Sequence, residues 1–500
     1  MRKLFLAAGA ALLLATAACG GSSSEASTKT GGTLTVGMSL DATSWNLAKA
    51  GNGNDAVYNQ PVYDSLLRMA PDGSLTPNLA TKWTYDDKQT TLTLTLRDGV
   101  KFTDGKTLDA TAVRTNLLHS KGGNAAGSEL TGITEVTAPD ANTVKITLAE
   151  PDPSLLTALG QVPGMIASPD ALDATSGPVG SGPYVLDKMG TTAGRQYTYS
   201  RNKDYWNASA FPYDKIVILP MTDAAARFNA LSSGQVDWTT ISADRVDAAK
   251  GAGLTVATTP GATEGLYIWD RDGKIVPALK SPLVRQALNY AFDRAAIVKT
   301  VKKGLGTATE QPFLTGDAAY DPALDSRYPY DPAKAKQLLA QAGYPNGFEV
   351  TIPDLSANFP QEQAAINQAL ADIGLKVKTV PVPLNQLFTA LQGGKYAMSY
   401  FKLSAFGPWD IVQNEFLKNA AWNPFHTTDP KVDELVKAIA AAKADAQPAL
   451  FRQLNTYLVE QAWNAPWDVL DTVLAMNKKV TMTAQKTTVF PPIYSLKPAG

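Results

Sequence analysis

The sequence is poor in the residues that carry out most enzyme chemistry. One cysteine, Cys19, and two histidines, His119 and His426, are its whole stock of thiol and imidazole. A disulfide within the chain needs a second cysteine and is excluded. A structural zinc site uses about four N or S ligands, which these three scattered residues do not supply. Charge of one sign is lacking too. Lys+Arg total 45 against 46 Asp+Glu, a formal net charge of −1, so no basic footprint for nucleic acid or an anionic membrane surface exists. No G-x-S-x-G elbow and no H-E-x-x-H pair is present. After the first fifteen residues no apolar run approaches the ~20 residues that span a bilayer. Aromatic side chains are plentiful instead, with 9 Trp, 18 Tyr and 15 Phe. That balance favours recognition over catalysis, and neither a metal nor a cofactor is expected.

Five hundred residues exceed what one hydrophobic core supports, so two or more lobes are expected. Arg2-Lys3 followed by an apolar stretch over 4–15 has the form of an export signal. Thr16-Ala17-Ala18 then precede Cys19 with the small residues that a signal peptidase accepts. The sole cysteine stands where a bacterial lipoprotein signal places the lipidated one, although Thr16 departs from the usual leucine. The alternative is an ordinary secretory signal with a chance cysteine. Residues 1–18 are thus expected to be a lipoprotein signal, and 19–32, low in complexity and polar, a flexible tether.

The stretch over 78–113 is the clearest local pattern. Thr91-Leu92-Thr93-Leu94-Thr95-Leu96 alternates with period 2, the mark of a half-buried strand. Asp98-Gly99 supplies a tight reversal, 100–102 a second short strand, Asp104-Gly105 another turn, and 107–118 a helix. Gly99, Gly105, Lys106 and Thr107 look superficially like a phosphate loop. Five residues separate the glycines where that loop has four, and a hairpin surrounds them, so it is not a nucleotide site. Farther on, periodicity predicts a helix over 57–67, paired strands over 132–148, and one continuous helix from Pro282 to Val301. Arg285, Asp293 and Arg294 on that helix read as a salt-linked surface. Helix and strand then alternate from Asp331 to Val380, and two more helices cover 432–443 and 449–462.

Taken together, LA-x-x-W (79–83), LTLRDGVKFTDGKTLDA (94–110), VGSGPY (179–184), RNKDYWN (201–207) and VRQALNYAFDRAAI (284–297) resemble the motifs of the peptide/nickel/opine-type (family 5) substrate-binding proteins of ABC importers. Ser181 replaces a usual threonine and Lys203 a usual proline. The resemblance implies an α/β, two-lobed periplasmic-binding-protein fold of class II, in the large form with an extra subdomain in the first lobe. On this sequence it implies a first lobe over 33–265 with the insertion at about 62–180, a second lobe over 266–469, and a return to the first lobe over 470–500. Two crossing strands would then act as a hinge.

The ligand is expected between the lobes, where clefts usually form. In the resembled family the loop after the first strand, here Trp45-Asn46, reaches into that cleft; the alternative for Trp45 is cover over the edge of the core. Tyr267 and Trp269 lie on the strand that enters the second lobe. The loop over 402–410 corresponds to one that in peptide binders presents an aspartate to the peptide's α-ammonium. Phe406 stands near that place, and Asp410 is the nearest acid, so either Asp410 makes the amine contact or the ligand has no free ammonium there. The expected ligand-binding set is therefore Trp45, Asn46, Tyr267, Trp269, Phe406, Trp409 and Asp410, with Cys19 lipidated and His426 not a metal ligand.

The resemblance implies a monomeric, lipid-anchored solute-binding component and not an enzyme. It would sit on the outer face of the bacterial cytoplasmic membrane or in the periplasm. It would hand an oligopeptide-like ligand to ABC permease and ATPase subunits. The alternatives are a non-peptide ligand (oligosaccharide, opine or metal chelate), a peptide receptor or chaperone without an importer, or a secreted hydrolase.

Overall fold

A computed structural model describes residues 31–123, 129–405, 407–483 and 491–499. Its backbone is a nine-stranded mixed sheet from which the other units hang. The sheet runs Met398–Leu403, Thr255–Ile268, Ala465–Met476, Trp238–Thr240, Thr33–Met38, Lys215–Pro220, Tyr197–Arg201, Tyr184–Leu186, with Thr307–Ala308 on the side. Thr33–Met38 lies parallel to both of its neighbours, its apolar residues meeting Ile216, Ile218 and Trp238. The long strands Thr255–Ile268 and Ala465–Met476 pair antiparallel along nearly their whole length. The C-terminal half of Ala465–Met476 pairs with first-lobe residues Trp238 and Thr239. The opposite ends of the two long strands carry Leu266, Tyr267, Ile268, Ala465 and Trp467 into the second-lobe core. These two strands are the covalent crossing between the lobes, as the two-lobed expectation requires.

Separate cores follow from this division. Leu34, Val36, Tyr58, Tyr199 and Ile218 pack with Leu474, Met476, Ile493 and Leu496, so the C-terminal end rejoins the lobe where the chain starts. The second core buries Trp269, Leu288, Phe292, Ile352, Ile366, Leu391 and Trp467. A satellite of helices, Pro430–Ala441 and Gln447–Glu460, closes over Phe313, Trp409, Phe416 and Trp463. A further core belongs to an inserted unit. There Ala80–Tyr85, Thr91–Leu96, Thr143–Leu148 and Ile133–Asp140 form an antiparallel sheet in that order. Helix Ala110–Lys121 covers it, capped by the Asp109 carboxylate accepting from Ala112 N at 2.8 Å. Among the described residues no helix is long and apolar enough to cross a membrane.

The alternating segment is strand Thr91–Leu96 as expected, its leucines buried and two of its threonines half-buried. The second short strand is instead a single bridge, Lys101 to Thr107, because the two turns leave no length for a ladder. The helix predicted over 57–67 is Asn54–Asn59, and the chain beyond Pro61 is committed elsewhere. Pro61 O accepts from Tyr184 N at 2.8 Å and Val62 O from Gly182 N at 2.8 Å. The GSGP bend therefore docks backbone to backbone on 61–62. A Cβ on Gly180 would lie 2.1 Å from Val62 O, and one on Gly182 2.5 Å from the same carbonyl.

The motif 284–297 also differs from its expectation. The chain breaks at 291–293 into Pro282–Tyr290 and Arg294–Thr300, because the Asp293 carboxylate caps the second helix at Ala296 N (2.9 Å). Arg285 and Arg294 are 5% and 7% exposed, so they are not on a helix surface, and the one salt link is buried, Arg294 with Glu310 at 4.0 Å. Arg285 donates to Gln461 O and Leu279 O, and Arg294 to Thr309 O, Pro466 O and Tyr328 O. Both act as staples for backbone carbonyls that helix packing leaves without partners, a use that suits the guanidinium's five donors.

Candidate functional site

Two loops far apart in sequence meet between the inserted unit and the helical satellite of the second lobe. On one side Asp152 accepts from Ser154 N and Ser154 Oγ, at 2.9 and 2.6 Å, and starts helix Leu155–Leu159. That turn sets Thr157 and Gln161 at the cleft. On the other side Gly407, at φ 130°, opens the one-turn helix Pro408–Ile411, which runs into a π-turn over Val412–Phe416. The cavity enclosed is about 150 Å³, lined by Glu129, Gln161, Trp409, Asp410, Gln413 and Gln447 among others. Between the two satellite helices, Lys443 Nζ stands 3.8 Å from Asp87 of the inserted unit.

Its chemistry is one-sided. Glu129 and Asp410 are the ionisable groups among the described lining residues, and no Lys or Arg joins them. Burial, then the Asp410 and Asp152 carboxylates, push the Glu129 carboxyl up to about 8, even though Asn52 Nδ2 donates to it. Behind the lining, burial and then Asp410 push Asp317 up to about 7, against the donation from Leu314 N at 3.3 Å. Asp410 Oδ1 accepts from Asn414 Nδ2 at 2.6 Å. Burial and the neighbouring carboxylates thus favour the protonated form of these carboxyls, and an arriving cation would favour the ionised form instead.

The neutral groups add direction. Trp409 is 8% exposed and its ring meets Phe451 edge-on at 6.3 Å, yet its Nε1 has no hydrogen-bond partner. Both side-chain amide atoms of Gln161 are buried without partners as well. An indole N–H only donates, whereas a carboxamide donates and accepts. Leaving such groups unpaired costs about 1–3 kcal/mol each, which an amide-bearing ligand would offset.

Of the residues expected at the site, Trp409 and Asp410 line this cavity. Trp45 is half-buried against Tyr197 and Tyr199, with ring centroids at 5.9 and 6.2 Å. Asn46 is buried and pins its own loop, accepting from Ala48 N at 2.9 Å and donating to Asp173 at 3.1 Å. Tyr267 and Trp269 are 1% and 0% exposed and lie in the second-lobe core instead of at the cavity. Trp269 stacks on Tyr267 at 5.3 Å and donates to Ser399 Oγ at 3.0 Å. Their aromatic strand alternates inward on a central sheet position, so burial wins over ligand contact. Phe406 and Cys19 lie outside the described residues. His426 is exposed and its Nδ1 is 3.0 Å from Lys418 O. No group of three or more potential metal ligands is assembled among the described residues. Sequence reading missed Glu129 and Gln161, for neither sits in a motif.

The GSGP and DYW motifs prove to be structural. Tyr205 Oη, Trp206 Nε1 and Ser181 Oγ all donate to the buried Asp64 carboxylate, at 2.8, 3.1 and 3.3 Å. Burial raises the Asp64 pKa, and those donors pull it back.

Comparison with known proteins agrees with this architecture. The family description "Bacterial extracellular solute-binding proteins, family 5 Middle" matches residues 74–423. The glutathione-binding protein GsiB of Salmonella paratyphi A is 29% identical over 433 residues, which cover 81% of each chain. The structure of the periplasmic binding protein DppA from Helicobacter pylori, in complex with peptide STSA, superposes with a TM-score of 0.75 at 23% identity, covering 94% of this chain and 99% of that one. AgaA of A. tumefaciens R10, in complex with agropinic acid, gives 0.74 at 26% identity over 94% and 99%. With a family match over most of the folded body and the two-lobed sheet in place, the chain belongs to the family 5 bacterial extracellular solute-binding proteins, the capture components of ABC importers.

Proposed function

We propose that this protein captures a peptide-like ligand bearing a protonated amine and delivers it to the permease and ATPase subunits of an ABC importer. The observation that carries this reading is the interlobe cavity. It pairs two carboxylates with no basic side chain among its described lining, beside an unpartnered indole N–H and an unpartnered carboxamide. An amino terminus with its neighbouring peptide unit offers the complementary set: an ammonium, a carbonyl and an N–H. Asp410 makes the ammonium contact, and Trp409 and Gln161 take the amide. Capture bends the chain at the strands crossing near 265 and 470, and ligand bridging both lobes shifts the open–closed equilibrium. The protein acts as a monomer held at the outer face of the cytoplasmic membrane through Cys19. GsiB's name as a glutathione-binding protein accords with a small peptide; AgaA's agropinic acid keeps an opine as the second reading.

Native mass spectrometry of the secreted protein tests this. Adduct masses spaced by amino-acid residues, lost in Asp410→Asn, support it; a single ligand without a basic nitrogen refutes it.

A further inference from the structure

We infer that Gln161 is a specificity-determining residue: its side-chain oxygen accepts the N–H of one trans peptide unit of the ligand, and the carbonyl of that same unit accepts from Trp409 of the facing lobe. The inference rests on the interlobe cavity being the site of a peptide-like ligand. It deepens that reading by naming which bond of the ligand is selected and on what chemical ground.

The backbone around Gln161 is fixed on both sides. Gln161 N donates to Ala158 O at 3.0 Å, and Gln161 O accepts from Gly164 N at 3.0 Å. Val162 N donates to Asn52 Oδ1 at 3.1 Å. The bend is closed tightly as well, since a Cβ on Gly164 would lie 2.0 Å from Leu159 O. A segment with these backbone groups paired thus delivers the side chain to the cavity, yet Nε2 and Oε1 are both buried without a partner. Trp409 gives the independent sign. It is more than nine-tenths buried, lines the same cavity from the second lobe, and its indole N–H has no acceptor. Each such unmade group costs about 1–3 kcal/mol, so two facing instances in one cavity point to a third party that completes them.

The donor and acceptor inventory sets what that party is. An indole N–H only donates, so the group facing Trp409 is an acceptor; a carboxamide oxygen only accepts, so the group facing Gln161 Oε1 is a donor. A trans peptide unit carries one of each and, being planar, points them in opposite directions. Held between the lobes, it satisfies both. In an extended ligand the N–H and C=O of one residue lie on the same side, so the neighbouring carbonyl accepts from Gln161 Nε2. The cavity is only about 150 Å³, which keeps whatever enters it near both side chains. An ester in place of that amide removes the N–H and sets an oxygen against Oε1, acceptor against acceptor. An N-methyl amide sets a methyl there. Ligand side chains take no part in this contact, so the selection is for backbone and is tolerant of sequence.

The test uses the full chain and the variants Gln161→Met and Gln161→Glu. The probes are di-, tri- and tetraalanine, with analogues in which one amide at a time is an ester. Titration calorimetry should show wild type preferring amide over ester by about tenfold to a hundredfold at one position and hardly at all elsewhere. That is the worth of one hydrogen bond whose loss strands a buried acceptor. Gln161→Met should abolish the preference, whereas Gln161→Glu, which keeps an acceptor oxygen, should retain it. A role confined to folding would weaken amide and ester alike and leave their ratio unchanged. A second readout needs no ligand. In the empty protein the unpartnered carboxamide opposes closure, so Gln161→Met should have a smaller radius of gyration than wild type by small-angle X-ray scattering. An amide-to-ester ratio equal in wild type and Gln161→Met at every position, or equal radii, would overturn the inference. If neither these peptides nor a mixed tripeptide library binds wild type, the peptide reading falls and the inference with it; if they bind with the ratio unmoved, the inference falls alone.

Discussion

Replacing Lys302 with methionine should destabilise the second lobe more than any surface change, and the structure says by how much. Lys302 is 7% exposed, and its ammonium contacts Glu264 and, at 2.6 Å, Glu362. Burial alone would lower its pKa, but the two glutamates outweigh that and hold it above the ordinary lysine value. Glu264 also accepts from Trp467 Nε1 at 3.0 Å and Tyr400 Oη at 3.1 Å. Asp468 sits opposite Glu264 in the crossing strands, fully buried. Burial, then the neighbouring Glu264, raises the Asp468 carboxyl, so it carries a proton at neutral pH. Two carboxylates thus share one ammonium, with the buried Asp468 carboxyl beside them. Removing the ammonium leaves Glu264 buried and uncompensated, a loss of about 3–5 kcal/mol. In a urea titration at pH 7 with a slope of about 3 kcal/mol per molar, the midpoint falls by about 1–1.7 M. The sign with pH follows from linkage. The folded state binds a proton on Asp468 that the unfolded chain has lost above its ordinary carboxyl range. Stability therefore falls as pH rises from about 4 through the raised value. Lys302→Met steepens this fall, so its deficit is smaller at pH 5 than at pH 8. The double variant with Glu264→Gln should recover at least about 1 kcal/mol. A deficit below about 1 kcal/mol that does not change with pH would refute the account.

Other perturbations test other parts of the argument. Arg271→Met strands Glu415, whose carboxylate is fully buried at 2.9 Å from the guanidinium. Burial already pushes Glu415 up to about 7, against the pull of Arg271 and Asn464. The variant should lose about 3–5 kcal/mol by denaturant titration at pH 8 and less at pH 5, where the carboxyl is neutralised. Gly180→Ala drives a methyl to 2.1 Å from the Val62 carbonyl and should lower stability by about 1–3 kcal/mol in the same titration. Ser181→Ala, which removes only a 3.3 Å bond to Asp64, should cost about 1 kcal/mol or less, and an equal cost for both would refute the close-approach argument.

Much of the architecture was legible because it is written locally. Alternation over Thr91–Leu96 and the helix start at Asp331 and Pro332 each depend on residues within one or two turns. Where neighbours compete, the pattern misled. Pro61 ended a helix that periodicity extended, and Asp293 capped a second helix inside a stripe that read as one. Arg285 and Arg294 looked like surface charges because helical spacing reports which face a residue occupies, not what covers it. The carbonyls they satisfy come from 309, 328, 461 and 466, which no local pattern connects to them.

The candidate site divides the same way. Trp409 and Asp410 stood out because they belong to a motif-bearing loop. Tyr267 and Trp269 stood out for the same aromatic character, and the tertiary structure put them in the core. Glu129 and Gln161 carry no sequence signal, since a carboxylate or carboxamide becomes a ligand group only through what surrounds it. The sequence by itself determined the two-lobed class, the strands and turns, and the family motifs, because sterics and periodicity act over a few residues. The tertiary structure decided which carboxylates are buried, which motif serines and tyrosines merely hold Asp64, and that Glu129 faces Asp410. Desolvation and electrostatic coupling depend on distance in space, and residues far apart in the chain set both.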